Sequence, residues 1–236
     1  MESDFEQRLL REKLASLKEF AYGASHELNN PLFNISSRAQ LLLRDERDPE
    51  RRRKLSTIYA HAMRASDMIK DMALAAQPPR PEMAEANLAQ IIGEVVAELA
   101  PAAREYEVQI DFAETSEHDA MVDGDATQLA VAVREICVNA CEALRRSGRP
   151  GLVEISLTAT AEQIDVVIRD NGPGLDARAR RHLFDPFFSG YESGRGLGFG
   201  LTKCWQIVDA HGGEILADSA AGKGTTITLR LRRSSK

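Results

Sequence analysis

Ser25-His-Glu-Leu-Asn-Asn-Pro-Leu32 lies in the middle of an amphipathic pattern that runs from Leu9 to Leu43. The apolar positions Leu10, Leu14, Leu17, Ala21, Ala24 and Leu28 alternate steps of four and three, the seam of a helix packed on another helix. Leu32, Ile35, Ala39 and Leu42 resume that alternation, but the step from Leu28 to Leu32 breaks it. The fault falls at Pro31, which lacks an N–H and crowds the carbonyl of Glu27. His26 stands about 200° round the helix from Leu28 and so points away from the seam. An imidazole, the carboxylate of Glu27 and the carboxamide of Asn30 thus share two turns beside a weakened hydrogen-bond ladder. The plain alternative is a surface histidine on a kinked helix, and the rest of the chain has to decide between them.

Arg44–Glu50 (RDERDPE) reads as a turn. Beyond it, Leu55, Ile58, Ala62, Ala65, Ile69, Met72 and Ala76 alternate three and four without a fault. Two long helices with matching seams and a short turn make an antiparallel hairpin. Each helix keeps an apolar stripe that the hairpin cannot bury alone, so the pattern predicts a homodimeric four-helix bundle. His61 in the same hairpin has no carboxylate and amide beside it and reads as structural or surface.

The 236 residues are 43% hydrophobic and 28% charged, as in an ordinary globular protein with a real core. A net charge of −6 argues against a nucleic-acid partner. No apolar run reaches the roughly 18 residues that a membrane helix needs. The start, MESDFEQRLLREK, has no signal-peptide core. These features predict a cytoplasmic chain without membrane contact, or the cytoplasmic part of a longer sensor. Cys137, Cys141 and Cys204 show no zinc-type pairing and read as buried thiols.

Gln77-Pro-Pro-Arg-Pro81 ends the helical hairpin as a stiff linker. The pattern then predicts a helix over Leu88–Ala103 and strands over Tyr106–Ala113 and Ala120–Asp123 around a polar turn. A helix capped by Asp125 runs to about Arg146 with Gly148 past its end. Leu152–Thr160 and Gln163–Asp170 alternate as a hairpin. A short helix covers about 176–182, another Phe199–Ala210, and Glu214–Asp218 with Thr225–Leu231 form a final strand pair. The fold class is α+β: a helical hairpin, then a sandwich of one mostly antiparallel sheet with helices on one face. The expected division is a hairpin over 1–77, a linker over 78–86 and a second domain over 87–236.

Four short signals occur in the second domain. Glu135 and Asn139, four apart on a helix, offer oxygens to a hard cation such as Mg²⁺, although such a pair is commonly a solvated face. Asp170-Asn-Gly-Pro-Gly174 sets a carboxylate at a strand end, with glycines that allow close backbone approach, although a simple turn reads equally well. Leu183–Ser189 (LFDPFFS) is too apolar for a linker and suggests a lid. Gly194-Arg-Gly-Leu-Gly-Phe-Gly200 leads straight into a helix, an arrangement that binds phosphate. No GK[ST] follows, so it is not a P-loop, and no strand leads into it as in a dinucleotide fingerprint.

Taken together and in this order, these motifs resemble the sensor histidine kinases of two-component signalling. Residues 135–144, 170–174, 183–189 and 194–201 are similar to the Asn, first glycine, Phe and second glycine boxes of the ATP-binding fold shared with gyrase, chaperone ATPases and MutL. Asp218–Thr225 also matches, and residues 20–44 resemble the phosphoacceptor box. The resemblance implies that His26 is the phosphoacceptor, with Glu27 holding its ring, and that the chain binds ATP and Mg²⁺. It implies Asn139 and Glu135 at the metal, Asp170 on the adenine amino group with Thr225 in support through its hydroxyl or a water, and Gly172 and Gly174 around the base. Gly196, Gly198 and Gly200 then close over the phosphates, with Phe184, Arg195, Leu197 and Leu201 also counted in the nucleotide pocket. Asn30 matches the position that orients water on a phosphorylated receiver, which implies a response-regulator partner and a phosphatase activity. Many relatives carry a lysine three residues after the asparagine, where this chain has Glu142. Arg195 or Lys203 is expected to supply the missing charge. A clamp ATPase of the same fold and a catalytically degenerate dimeric scaffold are the alternatives.

Overall fold

The computed structural model describes residues 2–113, 120–148, 150–188 and 198–234, without the side chains of residues 2–7, 17, 20–22, 24, 26 and 71. The chain divides into two compact units, Met1–Pro78 and Pro79–Lys236.

The first unit is a hairpin of α1 (Glu2–Asp45) and α2 (Pro49–Ala76). The turn between them is fixed by its own polar atoms. Asp48 caps α2 by accepting from Glu50 N (2.8 Å) and Arg51 N (3.0 Å), and Pro49 begins the helix where its missing N–H costs nothing. Arg52 Nη1 donates to Leu43 O (3.0 Å), and Ser66 Oγ donates to Asn29 Oδ1 (3.0 Å). Both contacts belong to one antiparallel register. Leu10, Leu14, Ala39, Ala62 and Met72 of the seam are buried, while Leu28, Ile35, Leu42 and Ile58 stay exposed. α1 runs as a single helix with Pro31 inside it.

The second unit carries β1 (Ala84–Asn87), α3 (Leu88–Glu105), β2 (Val108–Ala113), β3 (Met121–Gly124), α4 (Ala126–Ser147), β4 (Gly151–Ala159), β5 (Gln163–Asp170), α5 (Ala177–Arg181), α6 (Gly200–Ala210), β6 (Glu214–Ser219) and β7 (Thr225–Arg232). Five strands form one sheet in the order β2-β4-β5-β7-β6. Only β2 and β4 run parallel. Val153, Ile155 and Leu157 of β4, Ile164, Val166 and Ile168 of β5, and Ile227, Leu229 and Leu231 of β7 alternate onto one buried face. The core there is completed by Ile92 and Val95 of α3, Leu129, Val133 and Ile136 of α4, and Ile207 and Val208 of α6. Each fully buried aliphatic side chain of this kind contributes about 1.5–3 kcal/mol. The residues between carry the polar face, where Arg230 makes a two-pronged bond to Asp165 (3.0 and 2.9 Å).

Two differences from the sequence reading have physical causes. Ala84–Asn87, which begins inside the stretch 78–86 read as linker, is a strand paired antiparallel with β3. Its residues Ala-Glu-Ala-Asn include no β-branched or aromatic side chain, so the partner rather than propensity makes it a strand. β2 and β3 are not partners of each other: β2 joins the large sheet and β3 pairs with β1. The chain after Pro78 is also anchored to α4. Asp125, the N-cap of α4, accepts from Gln128 N (3.1 Å) and Glu82 N (3.0 Å), and Gln128 Nε2 donates to Pro79 O (2.9 Å). His211 braces this corner. Its Nε2 accepts from Asp125 N (2.9 Å) while Nδ1 donates to Ile207 O (2.7 Å), which fixes the neutral tautomer.

Candidate nucleotide site and phosphoacceptor helix

Strand register places the key carboxylate. Asp170 continues the inward alternation of Ile164, Val166 and Ile168, so it points onto the helix-covered face and is 7% exposed. Its neighbour across the ladder is Thr225. Asp170 Oδ1 accepts from Gly172 N (2.8 Å) and Thr225 N (3.3 Å). No residue among those described is hydrogen-bonded to Oδ2, and that oxygen remains an acceptor. Burial pushes the Asp170 carboxyl above its usual range, against the pull of those two backbone N–H groups.

Gly174 takes φ +66°, and a Cβ there would lie 2.0 Å from Ala220 O. The glycine is therefore what lets the 170–174 loop lie against the β6–β7 turn. Ser219 ties the two together: its Oγ accepts from Leu175 N (2.8 Å) and donates to Gly224 O (2.9 Å). With its proton committed, Ser219 accepts from the Thr225 hydroxyl at 3.1 Å. Thr225 thus holds Asp170 through its backbone N–H, while its hydroxyl is turned to Ser219. Ser219 is buried, and although it lies in the matching stretch 218–225 the sequence assigned it no role.

A second cluster forms where α4 meets the start of α6. A Cβ on Gly200 would sit 2.7 Å from Glu135 Oε2 and 3.4 Å from Asn139 Nδ2, so these two side chains abut the first turn of α6. Lys203 Nζ lies 2.5 Å from Glu135 Oε1, with both side chains largely buried. Glu135 is engaged by this ammonium, whereas the Asn139 amide makes no hydrogen bond among the described residues. The N-cap of α6, Phe199, supplies no side-chain cap. Gly198 takes φ +72° under the Phe188 carbonyl. Phe184 O and Gly198 O both lie within reach of Thr202 Oγ1 (3.1 and 3.4 Å), and Leu201 is half-buried against the core. Glu142, at the position noted above, is paired instead with Arg146 at 3.7 Å.

The two clusters are joined by α4: the Asp170 charge is felt at Cys141, two residues past Asn139. Burial raises the thiols of Cys137 to about 12 and Cys141 to about 11, so both are protonated and inert at neutral pH. Arg195, Gly196 and Leu197 lie outside the described residues. Among those described, no group of three or more His, Cys, Asp and Glu is placed to hold a metal. A cation here would need oxygens from a bound phosphate beside that of Asn139.

His26, Glu27 and Asn30 belong to α1, in the other unit. Glu27 and Asn30 are exposed, and the side chain of His26 lies outside the described residues. Among the described residues no helix is long and apolar enough to cross a membrane.

Residues 16–78 match the His Kinase A (phospho-acceptor) domain, and residues 124–235 match the histidine kinase-, DNA gyrase B- and HSP90-like ATPase family. The chain belongs to the sensor histidine kinases. Among histidine kinases with curated names, sporulation kinase C of Bacillus subtilis is 30% identical over 232 residues, covering 97% of this chain and 52% of that protein. The signal transduction histidine-protein kinase AtoS of Escherichia coli is 28% identical, over 93% of this chain and 35% of its own length. The chain therefore spans about a third to a half of these relatives. Full-length ShkA in complex with AMPPNP superposes with a TM-score of 0.76 at 21% identity, covering 92% of this chain and 46% of that one, and shares the fold. The ThkA catalytic domain is 26% identical with a TM-score of 0.57, covering 64% of this chain and 96% of that one. ThkA in complex with the response regulator TrrA has a TM-score of 0.65 at 24% identity, over 98% of this chain and 66% of that one.

Proposed function

We propose that this chain uses ATP to phosphorylate His26 and passes the phosphoryl group to an aspartate on a response-regulator receiver domain. The observation that carries the reading is the buried Asp170, held by Gly172 and Thr225 with Oδ2 left as an acceptor, in a chain that also matches the phosphoacceptor domain. Oδ2 accepts the exocyclic amino group of adenine, and the 170–174 loop lines the base. The triphosphate runs toward the N-terminus of α6, whose backbone N–H groups favour anions. Mg²⁺ neutralises charge on the phosphates when bound, with Asn139 as its protein ligand. Glu135 stands beside it under the Lys203 ammonium, which offsets the carboxylate and brings positive charge to the phosphate end.

In the transfer, the lone pair of one His26 ring nitrogen forms the N–P bond, the bond from γ-phosphorus to the bridging oxygen breaks, and ADP leaves. Glu27 holds the proton of the other ring nitrogen. Catalysis is positioning and charge neutralisation, as in other phosphoryl transfers. Asn30, one turn on, orients water for hydrolysis of the regulator's acyl phosphate. Residues 1–77 form the dimerising phosphotransfer hairpin, and the unit from Pro79 on, with β1 in it, is the catalytic domain. Exposed Leu28, Ile35, Leu42 and Ile58 support a second copy completing a four-helix bundle. The test is incubation with γ-labelled ATP. Wild type takes acid-labile, alkali-stable label that His26→Gln loses. ATP hydrolysis without protein label rejects the reading.

A further inference from the structure

α1 is one hydrogen bond short at its functional turn. Pro31 has no N–H for the Glu27 carbonyl, so the orientation of residues 26–30 is not set by the helix alone. At that level a bond crosses the hairpin: Ser66 Oγ on α2 donates to Asn29 Oδ1 on α1 at 3.0 Å. Both side chains are half-buried between the helices. Asn29 lies between Glu27 and the exposed Asn30, and any rotation of this turn moves all three together.

We infer that Ser66 is a positioning residue, whose hydroxyl acts through Asn29 to fix the turn of α1 that presents His26, Glu27 and Asn30. The inference rests on the proposed histidine kinase activity. Asn29 spends its carbonyl on this bond and touches no reacting atom. Asn30 is left free to face the receiver. The bond lies in the hairpin, so it does not alter nucleotide binding in the other unit. Its loss lowers the rate of transfer and leaves the apparent KM for ATP in place.

The experiment uses the whole chain with Ser66→Ala, Ser66→Thr, Asn29→Ala and the Ser66→Ala/Asn29→Ala double variant. Autophosphorylation is measured against ATP concentration, and backbone hydrogen exchange over residues 27–33 is measured alongside. Ser66→Ala is expected to lower kcat about three- to tenfold, the worth of one hydrogen bond, with KM unchanged. Ser66→Thr keeps the hydroxyl and restores the rate. The double variant is no slower than Asn29→Ala, because both remove one bond. Exchange over 27–33 rises by a similar factor in Ser66→Ala and not elsewhere in α1. The inference is overturned if Ser66→Ala stays within twofold of wild type, if Ser66→Thr is no better than Ser66→Ala, or if the two losses multiply. Should Ser66→Ala fail to fold, Asn29→Ala and Ser66→Thr give the same decision. A wild type that takes no label rejects the kinase reading, and hydrogen exchange then decides the inference by itself.

Discussion

Asp170→Asn separates the recognition role of Asp170 from its structural one. The substitution is nearly isosteric. An amide oxygen in the place of Oδ1 still accepts from Gly172 N and Thr225 N, so the 170–174 loop keeps both supports. The buried negative charge disappears, which removes a desolvation cost, and the melting temperature should hold or rise. The change falls on the other atom. Oδ2, an acceptor, becomes an NH₂ donor, which the proposed contact with the amino group of adenine does not tolerate. Losing a hydrogen bond to a charged group costs about 1.5–3 kcal/mol, a fall in ATP affinity of roughly 10- to 150-fold. Asp170→Ala gives a less informative result, because it also strands two backbone donors at about 1–3 kcal/mol each. The assay is calorimetric titration of wild type and Asp170→Asn with ATP and inosine triphosphate, whose 6-oxo group is an acceptor. The variant should lose ATP and recover part of its affinity for inosine triphosphate. Equal ATP affinity in the two proteins refutes the assignment of Asp170 to the base.

Three further outcomes follow from the same geometry. Gly174→Ala forces a Cβ 2.0 Å from Ala220 O at φ +66°, so it should destabilise the second unit by more than the roughly 1–2 kcal/mol of a left-handed alanine, read as a lower denaturation midpoint. Nucleotide affinity should fall as pH drops through the raised Asp170 value, because protonated Oδ2 no longer accepts. Stability moves the opposite way: the folded state binds the proton first, so between the usual value of 3.8 and the raised one it gains stability as pH falls and loses it as pH rises, as pH-dependent urea melts will show. Lys203→Met should lower ATP affinity more than tenfold. Adding Glu135→Gln restores most of it if Lys203 serves only to offset that carboxylate, and restores none if the ammonium also acts on the phosphates, a split that a double-mutant titration reads directly.

Much of this was legible in the sequence because it rests on local chemistry. The seam steps around Pro31 marked the hairpin, and strict alternation in β5 carried Asp170 to the buried face with the aliphatic residues before it. Asp125 and Gly148 marked both ends of α4, where the structure has a side-chain cap and a left-handed φ of 64°. What stayed hidden depends on partners distant in the chain. Ala84–Asn87 has no strand chemistry of its own and is made by β3. Ser219 lies in the matching stretch 218–225, but its role shows only when the β6–β7 turn folds against Leu175. The Lys203–Glu135 pair and the Ser66–Asn29 bond each join residues on separate helices, which spacing cannot reveal. The N–H of Thr225 lies on the Asp170 carboxylate and its hydroxyl on Ser219, a division that only the strand pairing and the β6–β7 turn produce.

The central claim is that His26 receives the γ-phosphoryl group. Tandem mass spectrometry of the ATP-treated chain at neutral to alkaline pH tests it most directly, since the sequence offers five histidines to choose from. The account predicts phosphate on His26 alone, and none on that peptide when Asp170→Asn replaces wild type at low ATP. Phosphate on another histidine, or on a serine or threonine with His26 unmodified, contradicts it.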